Sequence, residues 1–86
     1  MGYISKFSPQ FGRTLKRLKK KDKILFERIH KKVEEIIDNP EHYKPLRYSL
    51  RGLLRAHVGS FIILFQINEN VIEFIEFEHH DKAYER

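Results

Sequence analysis

Apolar side chains recur every three or four positions from Phe7 or Phe11 to Ile37, and at every second position from Tyr43 onward. A chain that changes period once builds helices first and strands afterwards, because the repeats match the α-helical turn and the β-pleat. Phe11, Leu15 and Leu18 predict an amphipathic helix over 9–20, opened by Ser8 as cap and Pro9 in the first turn. Lys19-Lys20-Lys21-Asp22 predicts a charged turn, with Asp22 capping a second helix. Leu25, Ile29, Val33 and Ile36 share one face of that helix, with Phe26 and Ile37 beside them. Asn39-Pro40 ends it, since proline disfavours helical geometry in the residue before it. Two helices joined this tightly form an antiparallel hairpin.

After Tyr43, Leu46, Tyr48 and Leu50 alternate with Arg47, Ser49 and Arg51. Strands follow near 53–58, 61–67 and 71–78, separated by Gly59-Ser60 and Asn68-Glu69-Asn70. GYISKF predicts a further short strand at the start, and 81–86 a closing helical turn. The fold class is therefore α+β: an N-terminal strand, an α-helical hairpin, then an antiparallel meander of three to four strands. With 86 residues the whole chain, 1–86, is one domain. Two helices cover only one sheet face, so the other must meet solvent or a partner.

Without cysteine, neither a disulfide nor a cysteine-ligated zinc can staple the fold. No apolar run approaches the ~20 residues of a bilayer span, and the N-terminus lacks a signal-peptide core. A soluble, cytoplasmic protein is expected, away from membranes. Residues 1–55 hold 15 Lys or Arg against 6 Asp or Glu, whereas 56–86 hold 2 against 6. The halves thus carry +9 and −4. That basic excess suits phosphate backbones or acidic protein segments, or simply a solvated surface.

Strand alternation points Leu54, Ala56 and Val58 at the helices and Arg55 and His57 at the open face. Phe61, Ile63, Phe65 and Ile67 become core, while Ile62, Leu64 and Gln66 face outward. Arg47 and Arg51 extend the basic strip. His79 and His80 follow the last long strand, with Tyr84 four residues beyond. Such groups on one concave surface suit phosphodiester cleavage without a metal. Histidine moves protons near neutrality, arginine binds phosphate and developing charge, and tyrosine stacks on a base or donates its hydroxyl. Taken singly, Arg55 and His57 read as surface strand residues, His79 and His80 as a polar exit from the sheet, and Tyr84 as packing under the last turn. His57, His79, His80 and Asp81 lack distinctive metal-ligand spacing, so no metal or cofactor is expected.

Residues 43–67, YKPLRYSLRGLLRAHVGSFIILFQI, together with EHHDKAYE at 78–85 and the preceding helical hairpin, resemble the RelE/ParE superfamily of type II toxins. The likeness is to its RelE/YoeB-like branch and spans nearly the whole chain. It implies a microbial ribonuclease-type fold, metal-independent cleavage of mRNA on the ribosome, and a RelB-like antitoxin in a hetero-oligomer. By position, the resemblance assigns Arg55, His57, His79, His80 and Tyr84 to catalysis. Lys16, Arg17, Lys19, Lys20, Lys21 and Lys23, with Arg47 and Arg51, would bind RNA. Ile62 and Leu64 would anchor the antitoxin. The family's Tyr-Arg pair after the glycine turn is Phe61-Ile62 here, and His80 replaces its closing arginine. Those departures open the alternatives: a catalytically impaired homologue, a ParE-like inhibitor that binds a protein such as DNA gyrase, or a regulatory module acting only with its antitoxin.

Overall fold

The computed structural model describes residues 2–45 and 52–79, with the side chains of Lys44 and Pro45 left out of the description. Arg47, Arg51, His80 and Tyr84, together with the alternation over 46–51 and the turn over 81–86, lie outside the described residues. The elements run β1 (Ile4–Phe7), α1 (Pro9–Lys21), α2 (Lys23–Asp38), a 3₁₀ turn (Pro40–His42), β2 (Lys44–Pro45), β3 (Leu54–Val58), β4 (Phe61–Asn68) and β5 (Val71–His79). They form one sheet in the order β1-β5-β4-β3-β2. β2 through β5 pair antiparallel with their neighbours, and β1 lies parallel to β5.

The helix starts follow the capping chemistry. Ser8 Oγ accepts from the Phe11 N–H at 3.0 Å and donates to the Ile75 carbonyl at 2.6 Å. Asp22 serves both helices: its N–H donates to Leu18 O at 2.8 Å, and its carboxylate accepts from the Leu25 N–H at 3.2 Å. Because Ser8 both caps α1 and ties it to β5, Ser8→Ala should cost about 1–2 kcal/mol, read as a lower urea midpoint with unchanged m-value. A midpoint equal to wild type would show that water replaces both bonds.

Phe11, Ile29, Val33 and Ile36 pack on Ala56, Val58, Ile63, Phe65, Ile72 and Phe74. Phe7 stacks on Phe11 and Phe74, with ring centres 5.5 and 5.3 Å apart. β4 is the middle strand and apolar on both faces, as its unbroken hydrophobic run predicts.

On the face away from the helices, Ile62 and Leu64 form a second cluster with Leu53 and half-buried Ile75. Both are 0% exposed, which corrects the expectation that they stand open as antitoxin anchors. Alternation fixes which face a side chain joins; it does not say whether that face is covered.

The β4–β5 register shifts between Leu64 and Phe65: Leu64 pairs with Glu76 and Phe65 with Phe74. Ile75 is therefore the extra residue of a β-bulge, and parity reverses beyond it. Phe77 and His79 turn to the helix face, where Phe61 stacks on Phe77 at 4.9 Å and meets His79 edge-on at 5.5 Å.

Candidate nucleic-acid interface

Pro40 ends α2 and starts the 3₁₀ turn, whose Glu41 Oε1 accepts a 2.9 Å hydrogen bond from Tyr3 Oη. That bond raises the Tyr3 pKa, because ionisation would lose the donor and oppose the carboxylate. Tyr43 follows, edge-on to Phe65 at 5.8 Å and to His42 at 5.3 Å. From there β2 enters the sheet with Lys44 opposite Arg55 and Pro45 opposite Leu54. This register brings His42 and Tyr43 alongside Ala56 and His57.

The result is a notch of about 300 Å³ at the outer edge of β3, lined by Lys32, His42, Tyr43, Arg55, Ala56 and His57. Arg55 is half-buried and His57 exposed. Lys32 Nζ pairs with Glu35 Oε2 at 3.2 Å. A guanidinium, an ammonium and two imidazoles thus border one opening. They can bind an anion and supply both a proton acceptor and a proton donor.

Of the predicted catalytic residues, Arg55 and His57 share this notch. His79 does not join them: the bulge at Ile75 places it beside Phe61 on the other side of the sheet, which corrects the single concave surface expected. Sequence reasoning missed Lys32, His42 and Tyr43. The available signal was His42-Tyr43 between the Pro40 breaker and the first strand, where a short loop must run beside a sheet edge.

The predicted RNA-binding cations Lys16, Arg17, Lys19, Lys20, Lys21 and Lys23 are all exposed, and the first five border one hollow at the C-terminal end of α1. Cations there also complement the helix dipole, a structural reason for three lysines in the last turn. Among the described residues, no group of three or more His, Cys, Asp or Glu is arranged to hold a metal. Among them, no helix is long and apolar enough to cross a membrane.

The sequence matches the family described as ParE toxin of type II toxin-antitoxin system, parDE, over residues 5–84. It is 39% identical to a protein named RelE4 from Methanocaldococcus jannaschii, covering 98% of this chain and 93% of that one. The fold is similar to the YoeB dimer of Staphylococcus aureus, with a TM-score of 0.77, 19% identity and coverage of 91% and 97% of the two chains. It is also similar to the RelBE2 toxin-antitoxin complex of Mycobacterium tuberculosis, with a TM-score of 0.76, 20% identity and coverage of 92% and 99%. The family match, a relative this close over almost the full length, and a helical hairpin packed on a five-stranded sheet lead to one conclusion: the chain belongs to the RelE/ParE superfamily and is a toxin of a type II toxin–antitoxin system.

Proposed function

We propose that this toxin is a ribosome-dependent, metal-independent mRNA endoribonuclease of the cytoplasm. One observation carries the reading: Arg55 and His57 border the same notch as His42 and Lys32. In the proposed reaction a neutral imidazole takes the proton of a ribose 2′-hydroxyl. The 2′-oxygen bonds to phosphorus as the bond to the 5′-oxygen breaks. An imidazolium returns a proton to that leaving oxygen, giving a 2′,3′-cyclic phosphate and a 5′-hydroxyl. Arg55 offsets the charge that grows on the phosphorane oxygens. His57 and His42 fill the two proton-transfer roles, and the lysines at the end of α1 grip ribosomal RNA.

Its partner would be an acidic, RelB-like antitoxin held by the basic half of the chain, with which it forms a hetero-oligomer. The RelBE2 neighbour is itself a toxin–antitoxin complex. Since Ile62 and Leu64 are buried, the antitoxin must anchor elsewhere.

Mapping mRNA ends in a translating extract tests the activity. Added protein should leave new 5′ ends at the codon in the ribosomal A site. The ParE-like reading, inhibition of a protein such as DNA gyrase, draws on the family match and on buried Ile62 where the RelE branch carries arginine. Growth arrest without cut mRNA would select it.

A further inference from the structure

We propose that the outer edge of β3 is a track for the backbone of single-stranded RNA, on which Arg28 and Lys32 each hold a phosphate. The proposal deepens the nuclease reading and rests on it. Arg28 and Lys32 stand one turn apart on α2, beside the buried Ile29 and Val33. Four residues of helix separate them by about 6 Å along the axis.

Gly59 seats the first of them. This residue turns β3 into β4 at φ +61°, and a Cβ there would lie 3.2 Å from one guanidinium nitrogen of Arg28. Lacking a side chain, Gly59 lets the guanidinium settle over the turn at one end of the strand. Lys32 reaches the notch beside His42, further along the same edge. One cation therefore lies past His57 at the Gly59 turn, and the other lies beside His57 and Arg55 in the notch.

Their electrostatic environment leaves room for an anion. Among the described residues no carboxylate lies within ion-pair distance of Arg28. Lys32 is paired with Glu35, but those side chains are 29% and 50% exposed, so solvent weakens the pair and a phosphate can compete. Two cations one helical turn apart, beside a notch bordered by two imidazoles, suit neighbouring phosphates of a single strand.

The probe is a 2′-O-methyl RNA oligonucleotide, which lacks the 2′-hydroxyl proton that cleavage removes. Its binding to the full chain is followed by fluorescence anisotropy over a range of KCl. Arg28→Gln with Lys32→Gln should weaken binding about 10- to 100-fold at low salt. It should also make the slope of log K against log[salt] shallower by about 1.4, the loss of two single-strand phosphate contacts. Both side chains lie outside the core, so the thermal midpoint should hold. An unchanged slope in this variant, with the loss appearing instead in Lys20→Gln/Lys21→Gln, would overturn the track. So would a variant that keeps RNA affinity but loses binding of poly-glutamate, which would make the edge a dock for acidic protein. RNA binding along this edge by a protein that leaves no A-site cuts would support the track and remove the nuclease reading, so the two fail separately.

Discussion

Arg55→Ala is expected to lower A-site cutting by about 10²–10³-fold, and His57→Ala by about 10²–10⁴-fold, with little change in thermal midpoint. The first figure is the loss of a charge donor aimed at a phosphorane, and the second the loss of one proton-transfer group. Both side chains point away from the packed helices, on a strand whose core contacts come from Ala56 and Val58. Truncation therefore removes chemistry and leaves the buried cluster intact. Combining the two should fall well short of multiplying their effects, because groups that act on one transition state are not independent. His79→Ala is the internal control: it lies across the sheet beside Phe61 and should cut within a few-fold of wild type. End-mapping in the translating extract reads all four proteins. Full cutting by Arg55→Ala and His57→Ala, or a loss in His79→Ala as deep as theirs, would move the active site off the β3 edge.

What could be read in the sequence and what could not divides along physical lines. The helical hairpin was legible to within a residue or two because its signals are local: Ser8-Pro9, the Asp22 cap and Pro40 each act on their own backbone. The direction of Arg55 and His57 was legible for the same reason, since pleating is a property of one strand. His79 was not, because a bulge belongs to a pair of strands. Its trace is present at Ile72, Phe74 and Phe77, a core series that breaks phase by one residue, but Ile75 and Glu76 carry no glycine or other mark of a kink. Burial of Ile62 and Leu64 was hidden in another way, since alternation says nothing about what covers a face. Lys32 and His42 required three-dimensional closure: the packing of α2 on β3 brings Lys32 to the notch, and the pairing of Lys44 with Arg55 brings His42. The parallel union of β1 with β5 was likewise out of reach, because four residues at the start carry no record of a partner 67 positions away.

The largest stability effect is expected where the RelE branch carries its arginine. Ile62→Arg should destabilise the fold by about 3 kcal/mol or more, a fall in midpoint of roughly 12 °C for a domain of this size. Ile62 has no exposure and packs with Leu53 and Leu64, so the exchange loses its apolar burial and forces a guanidinium into that cluster. Glu78 stands directly across in β5 and His57 in β3, so one carboxylate is near enough to offset part of the cost. It cannot offset all of it, since pairing two buried charges leaves both without most of their water. Ile62→Met keeps the volume without the charge and should cost under about 1.5 kcal/mol. The comparison separates two accounts of this position. If Ile62→Arg melts well below Ile62→Met, the isoleucine is part of a packed second core that excludes a cation. If Ile62→Arg melts with wild type and cuts more mRNA, the cluster tolerates a cation, and an arginine at this position aids cleavage.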